Sequence, residues 1–461
     1  MFASLHLIWS SGCIMTRGRV GGEKGDVEEH LSDHVTALEV QPTSIKNIPW
    51  KLPPSKSHII RKLALCALSK NKHTLLGFEE MGEDAESMKR CLSQMGVKFN
   101  SIDNGIEITG VGLDGFKRSP DLLFCGNSGT ALRLLLGLTS RLEFTSQIDG
   151  DASLRKRNHF DLLSALSALG VKISHSTNEK HLPVSVQGPW NNSEISVHVS
   201  NSSQPFSSLL LSTCGLGAKT IIKTTGDAVS RRHSGLTIEL MKASGALIKT
   251  STKETIVEPW MSNPPKEWIV PSDASMMAFP VLACLLSQQS IQIKNPVKAT
   301  QALGHEVLLE HINAFGIKEH EGGLSPGGLT EEVDIDLRDA NDLLPPLAAT
   351  LALSGGGRLR GAIHAKHKES NRIDSTAKLL KSFGLSCTIE DDGLSIEGGQ
   401  KPIQPTQCVK TYGDHRIHMT AVLLAMQTGG VVEGSELHRI ADPAFLSRLS
   451  AMPAKVLIER I

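Results

Sequence analysis

A unit of about 70 residues recurs six times along this chain, and that repetition constrains the fold more than any other feature. Each unit opens with a polar turn containing Pro, Gly or Asp and continues into a helix of small apolar residues. The six stretches are "PPSKSHIIRKLALCAL" from Pro53, "CGNSGTALRLLLGL" from Cys125, "SNSSQPFSSLLLST" from Ser200, "PSDASMMAFPVLACLL" from Pro271, "DANDLLPPLAATLAL" from Asp339 and "TYGDHRIHMTAVLLA" from Thr411. A second series keeps step with the first. Amphipathic helices ending at Gly96, Gly170, Gly245, Gly316 and Gly384 lead into strand-like segments, and a sixth, "DPAFLSRLSAM", ends at Met452 without the glycine. Glycine suits those ends because a helix C-terminus often needs a left-handed residue.

Each unit therefore predicts one helix apolar nearly all round, which belongs inside, and one amphipathic helix outside it. Short β-rich runs such as "GIEITGV", "PVSVQG" and "EISVHVS" fall between them. The expectation is an internally repeated α/β architecture.

The six polar heads also point to chemistry. A helix N-terminus offers unpaired N–H groups and partial positive charge, so it attracts anions. The heads and their neighbouring loops carry Lys56, Ser57, Arg61, Arg133, Arg155, Arg157, Ser202, Ser203, Gln204, His415 and Arg416. Packed side by side, the inner helices would bring these groups together. The acids Asp273, Asp342, Glu369 and Asp414 interrupt them as ion-pair partners or as proton-transfer groups. Asp342 has no basic neighbour in sequence, so local pairing does not explain it.

Bulk properties narrow the class. The 461 residues suffice for two or three domains, and 48 Lys plus Arg balance 48 Asp plus Glu. A formally neutral chain with 4% aromatic residues suits neither nucleic acid nor an anionic membrane surface. Eight scattered cysteines without a CxxC pair fit a reducing, cytoplasmic setting, and no apolar run is long enough to span a bilayer. Residues 1–35 are expected to be a disordered extension, with Met15 an alternative start. The sequence contains no HExxH, no Cys/His cluster at ligand spacing and no GxxxxGK[ST].

The segments "LPPSKSHIIR", "CGNSGTALRLL", "SNSSQ", "KESNRI" and "GDHRI", in this order and on this repeat, resemble the signature segments of the 5-enolpyruvylshikimate-3-phosphate synthase family. The resemblance runs from about Val40 to the C-terminus. It implies two similar domains, each of three βαβαββ units with buried parallel helices, an inside-out α/β barrel with the active site in the interdomain cleft. The implied division is 55–270 for the first domain and 36–54 with 271–461 for the second, with chain crossings near Pro54 and Pro271. The strand around "VTALEVQP" would join the second domain.

The reaction implied is transfer of the enolpyruvyl group of phosphoenolpyruvate to the 5-hydroxyl of shikimate 3-phosphate, with release of phosphate and no cofactor or metal. The implied partners are these two small molecules, with no nucleic acid and no membrane, and the chain is expected to act as a monomer. Carried over by position, Lys56 matches a lysine touching both substrates. Ser57, Arg61, Ser202, Ser203, Ser230 and Lys368 match the shikimate 3-phosphate side. Asn127, Gly129, Thr130, Arg133, Arg157, Arg372, His415 and Arg416 match the phosphoenolpyruvate side, and Gln204 lies between the two. Asp342 matches the carboxylate that takes the hydroxyl proton, and Glu369 the acid that handles the methylene proton.

The chain departs from the family pattern at Ile60, Asn158, Arg232, His233 and Asn371. Near the C-terminus the family's usual lysine is replaced by Ile440, and Arg439 beside it is expected to take over an anion contact. Two competing readings are an acceptor switch to UDP-N-acetylglucosamine and a catalytically inactive relative. "SNSSQ" and "KESNR" speak against the first, and the presence of Lys56, Asp342, Glu369, Arg372 and Arg416 speaks against the second.

Overall fold

In a computed structural model the described residues are 36–43, 48–175 and 181–450, with Ile48 and 458–460 described by backbone alone. The expectations for 1–35, Met15 and the helix end at Met452 lie outside them.

The six apolar stretches form six helices: Lys56–Ala67, Gly129–Thr139, Gln204–Ser212, Ala278–Ser287, Leu344–Leu353 and His415–Thr428. They are buried on nearly every face because they carry almost no charge beyond their first turns. The second and third pack so closely that a Cβ on Gly137 would come within 2.3 Å of Ser208 Oγ, and only glycine admits that approach. The fourth, fifth and sixth pack on one another in the same way.

Five four-stranded sheets cover these helices with one repeated pattern: a parallel edge pair followed by an antiparallel hairpin. In the first, Glu267–Ile269 runs parallel to Lys72–Leu76, which pairs antiparallel with Gly105–Thr109 and then Lys98–Ile102. The sixth sheet has three strands, with Ala37–Val40 between Gly430–Glu433 and Ile458–Arg460.

Five outer-helix glycines all take positive φ, from 72° at Gly384 to 102° at Gly96. The series is read correctly from sequence except in the fourth unit. There "EHINAFG" gives only a short helix, Glu306–Glu310, and a 3-10 turn, Ile312–Ala314, rather than a full amphipathic helix. His311 and Asn313 are poor helix formers, and the His311 ring bonds back to the Val307 carbonyl at 2.8 Å.

The apolar side chains form two clusters. One runs from Ile59 to Val270, and the other joins Leu38–Leu52 to residues from Met276 to Leu449. The chain passes between them twice, and the two passages lie side by side. The Ser55 N–H donates to the Pro271 carbonyl at 2.8 Å and the Asp273 N–H to the Pro53 carbonyl at 2.9 Å. No helix among the described residues is long and apolar enough to cross a membrane.

Leu347 sits on the fifth inner helix with no exposed surface, whereas Leu329 is 86% exposed. Leu347→Ala is expected to destabilise the chain by about 2–5 kcal/mol. Leu329→Ala should change stability by less than about 0.5 kcal/mol. Urea unfolding followed by circular dichroism compares the two, and equal midpoints would contradict this assignment of the core.

Candidate active site

The heads of the first, second, third and fifth inner helices line one cleft, and those of the fourth and sixth line a small space adjoining it. Local sequence sets each head. Ser128 caps the second helix by accepting from the Ala131 N–H, and Asp273 and Asp414 cap the fourth and sixth at Ser275 and Arg416. Of the residues anticipated from sequence, Lys56, Ser57, Arg61, Gly129, Thr130, Arg133, Arg157, Ser202, Ser203, Gln204, Ser230, Asp342, Lys368 and Glu369 all line this cleft.

Arg133, Arg157 and Gln204 converge over Gly129. A Cβ there would lie 2.9 Å from Arg133 Nη1 and 3.2 Å from Arg157 Nη1, so glycine leaves room for the cations to gather. Arg133 donates to the Gln204 side chain and to the Asn158 carbonyl, and the Gln204 amide donates to Thr130 at 2.8 Å. Asn127 sits just behind, accepting from Arg157 and donating to Asp151.

Opposite them lies the segment "KHKESNR". It is not the first turn of a helix, because the helix begins only at Arg372. Asn371 caps it by accepting from the Asp374 N–H. Lys368 and Glu369 therefore belong to the approach to the helix, and their side chains reach the cleft. Asn371, one of the departures from the family pattern, thus caps the helix without adding a carboxylate beside Arg372.

Arg372 is 1% exposed and contacts three carboxylates. It donates to Asp342 at 2.5 Å, Glu369 at 2.6 Å and Asp414 at 2.8 Å. Those bonds, with a second to Asp414, engage all but one of its N–H donors. The direct clamp on a substrate implied for Arg372 is thus reduced to a single free N–H.

Arg416 donates to the Ser275 hydroxyl at 2.7 Å and lies 3.7 Å from Asp342. His415 is buried beside it, and neither ring nitrogen has a hydrogen-bond partner. Lys56 pairs with Asp84 at 2.8 Å, a partner that sequence reading missed because it lies 28 residues away on a different helix.

Burial alone would raise the carboxyl of Asp342, but Arg416, Arg372, Lys368 and Lys56 outweigh it and hold the group well below the usual range. Glu369 is likewise pushed up by burial and held well down by Arg372, Arg157, His415 and Lys56. Burial lowers Lys56, yet Asp84, Glu369 and Asp342 leave it raised. Both acids are therefore ionised and Lys56 is charged at neutral pH in the unliganded cleft.

Two expectations meet a different arrangement. Arg439 is half exposed and faces Glu436 at 3.5 Å and Glu80 and Glu83 at 3.7 Å. It lies on a 3-10 turn, Leu437–Ile440, rather than among the residues lining the cleft, and Ile440 is buried. Arg232 is turned to Glu306 at 2.8 Å. Exposed pairs of this kind contribute about 0–1 kcal/mol. Arg439→Ala is accordingly expected to leave the Michaelis constant for phosphoenolpyruvate within about twofold of the parent. A tenfold rise in steady-state assays would return Arg439 to the anion site.

Sequence reading also missed four histidines of the cleft lining, which lie there with His233. His159, His233, His305, His364 and His367 line the cleft. Burial, then the charge of Arg133, holds His159 at about 3. Burial, then Lys368, holds His364 at about 4, and His58 behind them is held at about 3 by burial, then Lys62 and Arg61.

These folded values lie below the unfolded value of 6.5, so the unfolded chain takes up protons first as pH falls. Stability is full above pH 6.5 and should decline from there toward pH 3–4 by about 1.4 kcal/mol per pH unit for each such histidine. Urea midpoints at pH 8, 7, 6 and 5 test this, with His58→Gln expected to flatten the slope. A midpoint constant from pH 7 to pH 5 would contradict burial of the neutral rings.

Comparison with known proteins agrees with this geometry. The family profile described as EPSP synthase (3-phosphoshikimate 1-carboxyvinyltransferase) matches residues 44–448. A 3-phosphoshikimate 1-carboxyvinyltransferase of Methanocorpusculum labreanum is 30% identical over 408 residues, covering 87% of this chain and 95% of that relative. One from Shouchella clausii is 31% identical over 418 residues, with 87% and 95% covered. The solved EPSP synthase of Acinetobacter baumannii superimposes with a TM-score of 0.73 at 25% identity, covering 92% of this chain and all of that one. The enolpyruvyl transferase NikO of Streptomyces tendae, at 13% identity and a TM-score of 0.70 over 93% of this chain and 99% of its own, shares the fold. With one family profile spanning all six repeats and all the helix heads that meet at the cleft, the chain belongs to the EPSP synthase (3-phosphoshikimate 1-carboxyvinyltransferase) family.

Proposed function

We propose that this cleft carries out the family reaction with Lys56, Asp342 and Glu369 at the reacting atoms. The activity itself follows from family membership: the chain is a 3-phosphoshikimate 1-carboxyvinyltransferase, moving the enolpyruvyl group of phosphoenolpyruvate to the 5-hydroxyl of shikimate 3-phosphate. The observation that supports the residue roles is the convergence of Asp342 and Glu369 on one buried guanidinium, with Lys56 and Lys368 beside them.

Both substrates carry a carboxylate and a phosphate, so their approach needs cations. Arg61, Ser57, Ser202, Ser203, Ser230 and Lys368 form the shikimate 3-phosphate side. Arg133, Arg157, Gln204, Thr130 and the backbone at Gly129 form the phosphoenolpyruvate side, with Asn127, His415 and Arg416 behind them. Fixed charges in a low-dielectric cleft stabilise developing charge without reorganising.

The acceptor hydroxyl gives its proton to Asp342 as its oxygen bonds to the enolpyruvyl carbon, and Glu369, which takes up a proton from solvent when the bound anions offset the cations around it, supplies the proton that the methylene carbon gains. Phosphate then leaves, and Glu369 takes that proton back to restore the double bond. Lys56 neutralises charge near both reacting oxygens. Arg372 orients the two acids and holds them apart in role, with its one free N–H left for ligand.

The two hydrophobic clusters are read as two domains, 36–54 with 271–461 and 55–270, hinged where Pro53–Ser55 runs beside Pro271–Asp273. The same reading places the enzyme in the cytoplasm as a monomer that needs no cofactor. Buried free thiols such as Cys66, Cys91 and Cys284 support the reducing compartment.

Phosphate release by the purified protein should require both substrates and survive excess chelator. Asp342→Asn and Glu369→Gln should each slow turnover by ~10²–10⁴-fold with the far-ultraviolet circular dichroism unchanged. Release from phosphoenolpyruvate alone, or both variants near the parent rate, would overturn these roles.

A further inference from the structure

His305 belongs to no signature segment, yet it is 4% exposed and lines the cleft. It also lines a small adjoining space, and Lys56, Ser57, His233 and Asp342 line both spaces with it. Its Nδ1 lies 2.7 Å from the Ala302 carbonyl. A carbonyl only accepts, so Nδ1 carries the hydrogen and, in the neutral ring, Nε2 holds a free lone pair. Nε2 is buried and has no hydrogen-bond partner.

The loop that presents this ring is fixed at several points. The Gly304 N–H donates to the Glu306 carboxylate at 2.7 Å, and Glu306 pairs with Arg232 at 2.8 Å. Gly304 has φ +95° with the Asp339 carbonyl where a Cβ would sit, 2.7 Å away. Leu303 is held at φ 56°, a region that branched side chains disfavour. The departure at Arg232 thus has a structural consequence, since it anchors the turn that carries His305.

Asp342 needs such a neighbour. Its carboxylate accepts from Arg372 at 2.5 Å and lies 3.7 Å from Arg416. A carboxylate held by two guanidinium groups is a weak base, so it removes a hydroxyl proton effectively only when that proton moves on. The charged groups acting on His305 are Asp342, the strongest, then Asp273 and Arg416, and the His233 ring stands edge-on with centroids 6.1 Å apart. Burial is the largest influence and lowers the ring, so it rests neutral with the Nε2 lone pair available, while Asp342 and Asp273 oppose burial and soften the cost of a transient imidazolium.

We propose that His305 Nε2 is the proton acceptor that follows Asp342, a positioning residue that completes the base. The proton passes from the acceptor hydroxyl to the Asp342 carboxylate and from there to Nε2. The imidazolium so formed keeps its Nδ1–H on the Ala302 carbonyl and gives up its proton to solvent when products leave. The inference rests on the reading of Asp342 as the base.

His305→Asn keeps an N–H donor for the Ala302 carbonyl but has no group at Nε2, and His305→Ala removes both. Each is expected to lower kcat by about 10–100-fold while the Michaelis constants for both substrates stay within about threefold. Added imidazole should restore part of the rate to His305→Ala, which a purely structural role would not allow. In the parent, kcat should show an acidic limb below pH 6.5, where the ring enters the cycle already protonated, and His305→Asn should lose that limb. Parent-like kcat in both variants, or a slow His305→Ala that imidazole fails to rescue, overturns the relay. Asp342→Asn tells the two readings apart. If it turns over at the parent rate, the base assignment fails; if it is slow while both His305 variants are normal, only the relay fails.

Discussion

The buried guanidinium of Arg372 is the interaction around which the site is organised. It joins Asp342 from the fifth inner helix head, Glu369 from the approach to its own helix, and Asp414 from the cap of the sixth inner helix. Three segments separated by tens of residues are thereby held in register within hydrogen-bond distances. Removing one partner of such a buried network costs about 3–5 kcal/mol, because it leaves charge without compensation. The same network explains why two carboxylates stay ionised while deeply buried, and so why they are available for proton transfer.

The rest of the architecture delivers groups to that centre. Inner helices with few charges along their lengths can pack side by side, and their polar heads, with Arg61 and Arg133 in the second turns, then line the cleft. The sheets repeat a single pattern because each must cover the same kind of apolar helix pair. Lys56, Arg133, Arg157 and Lys368 arrive from four different heads or loops, and no two neighbouring segments alone would make the cleft.

Attraction, as well as repulsion, acts across the cleft between the two hydrophobic clusters. Arg231 meets Asp339 at 3.0 Å, Arg232 meets Glu306, and Arg439 meets Glu80 and Glu83. Cations from both sides line the interior of the cleft, while at the rim opposite charges face one another. Arg232, a departure from the family pattern, and Arg439, expected from sequence to take an anion contact, are instead paired with carboxylates at the rim.

The repeat, the buried and outer helices, the positive-φ glycines and most of the cleft lining were legible in the sequence, because helix periodicity, capping and turn chemistry are local. Gly170 and Gly384 end their helices for reasons written within a few residues of each. What the sequence did not show depends on distance in space. Asp84 beside Lys56, Asp342 and Asp414 on Arg372, Glu80 and Glu83 near Arg439 and the unpartnered nitrogen of His305 are set by how segments about 28 or more residues apart pack together. Charge pairing and desolvation depend on those separations in three dimensions. The sequence by itself therefore determined which groups reach the cleft, and the tertiary structure alone decided which of them are free to act.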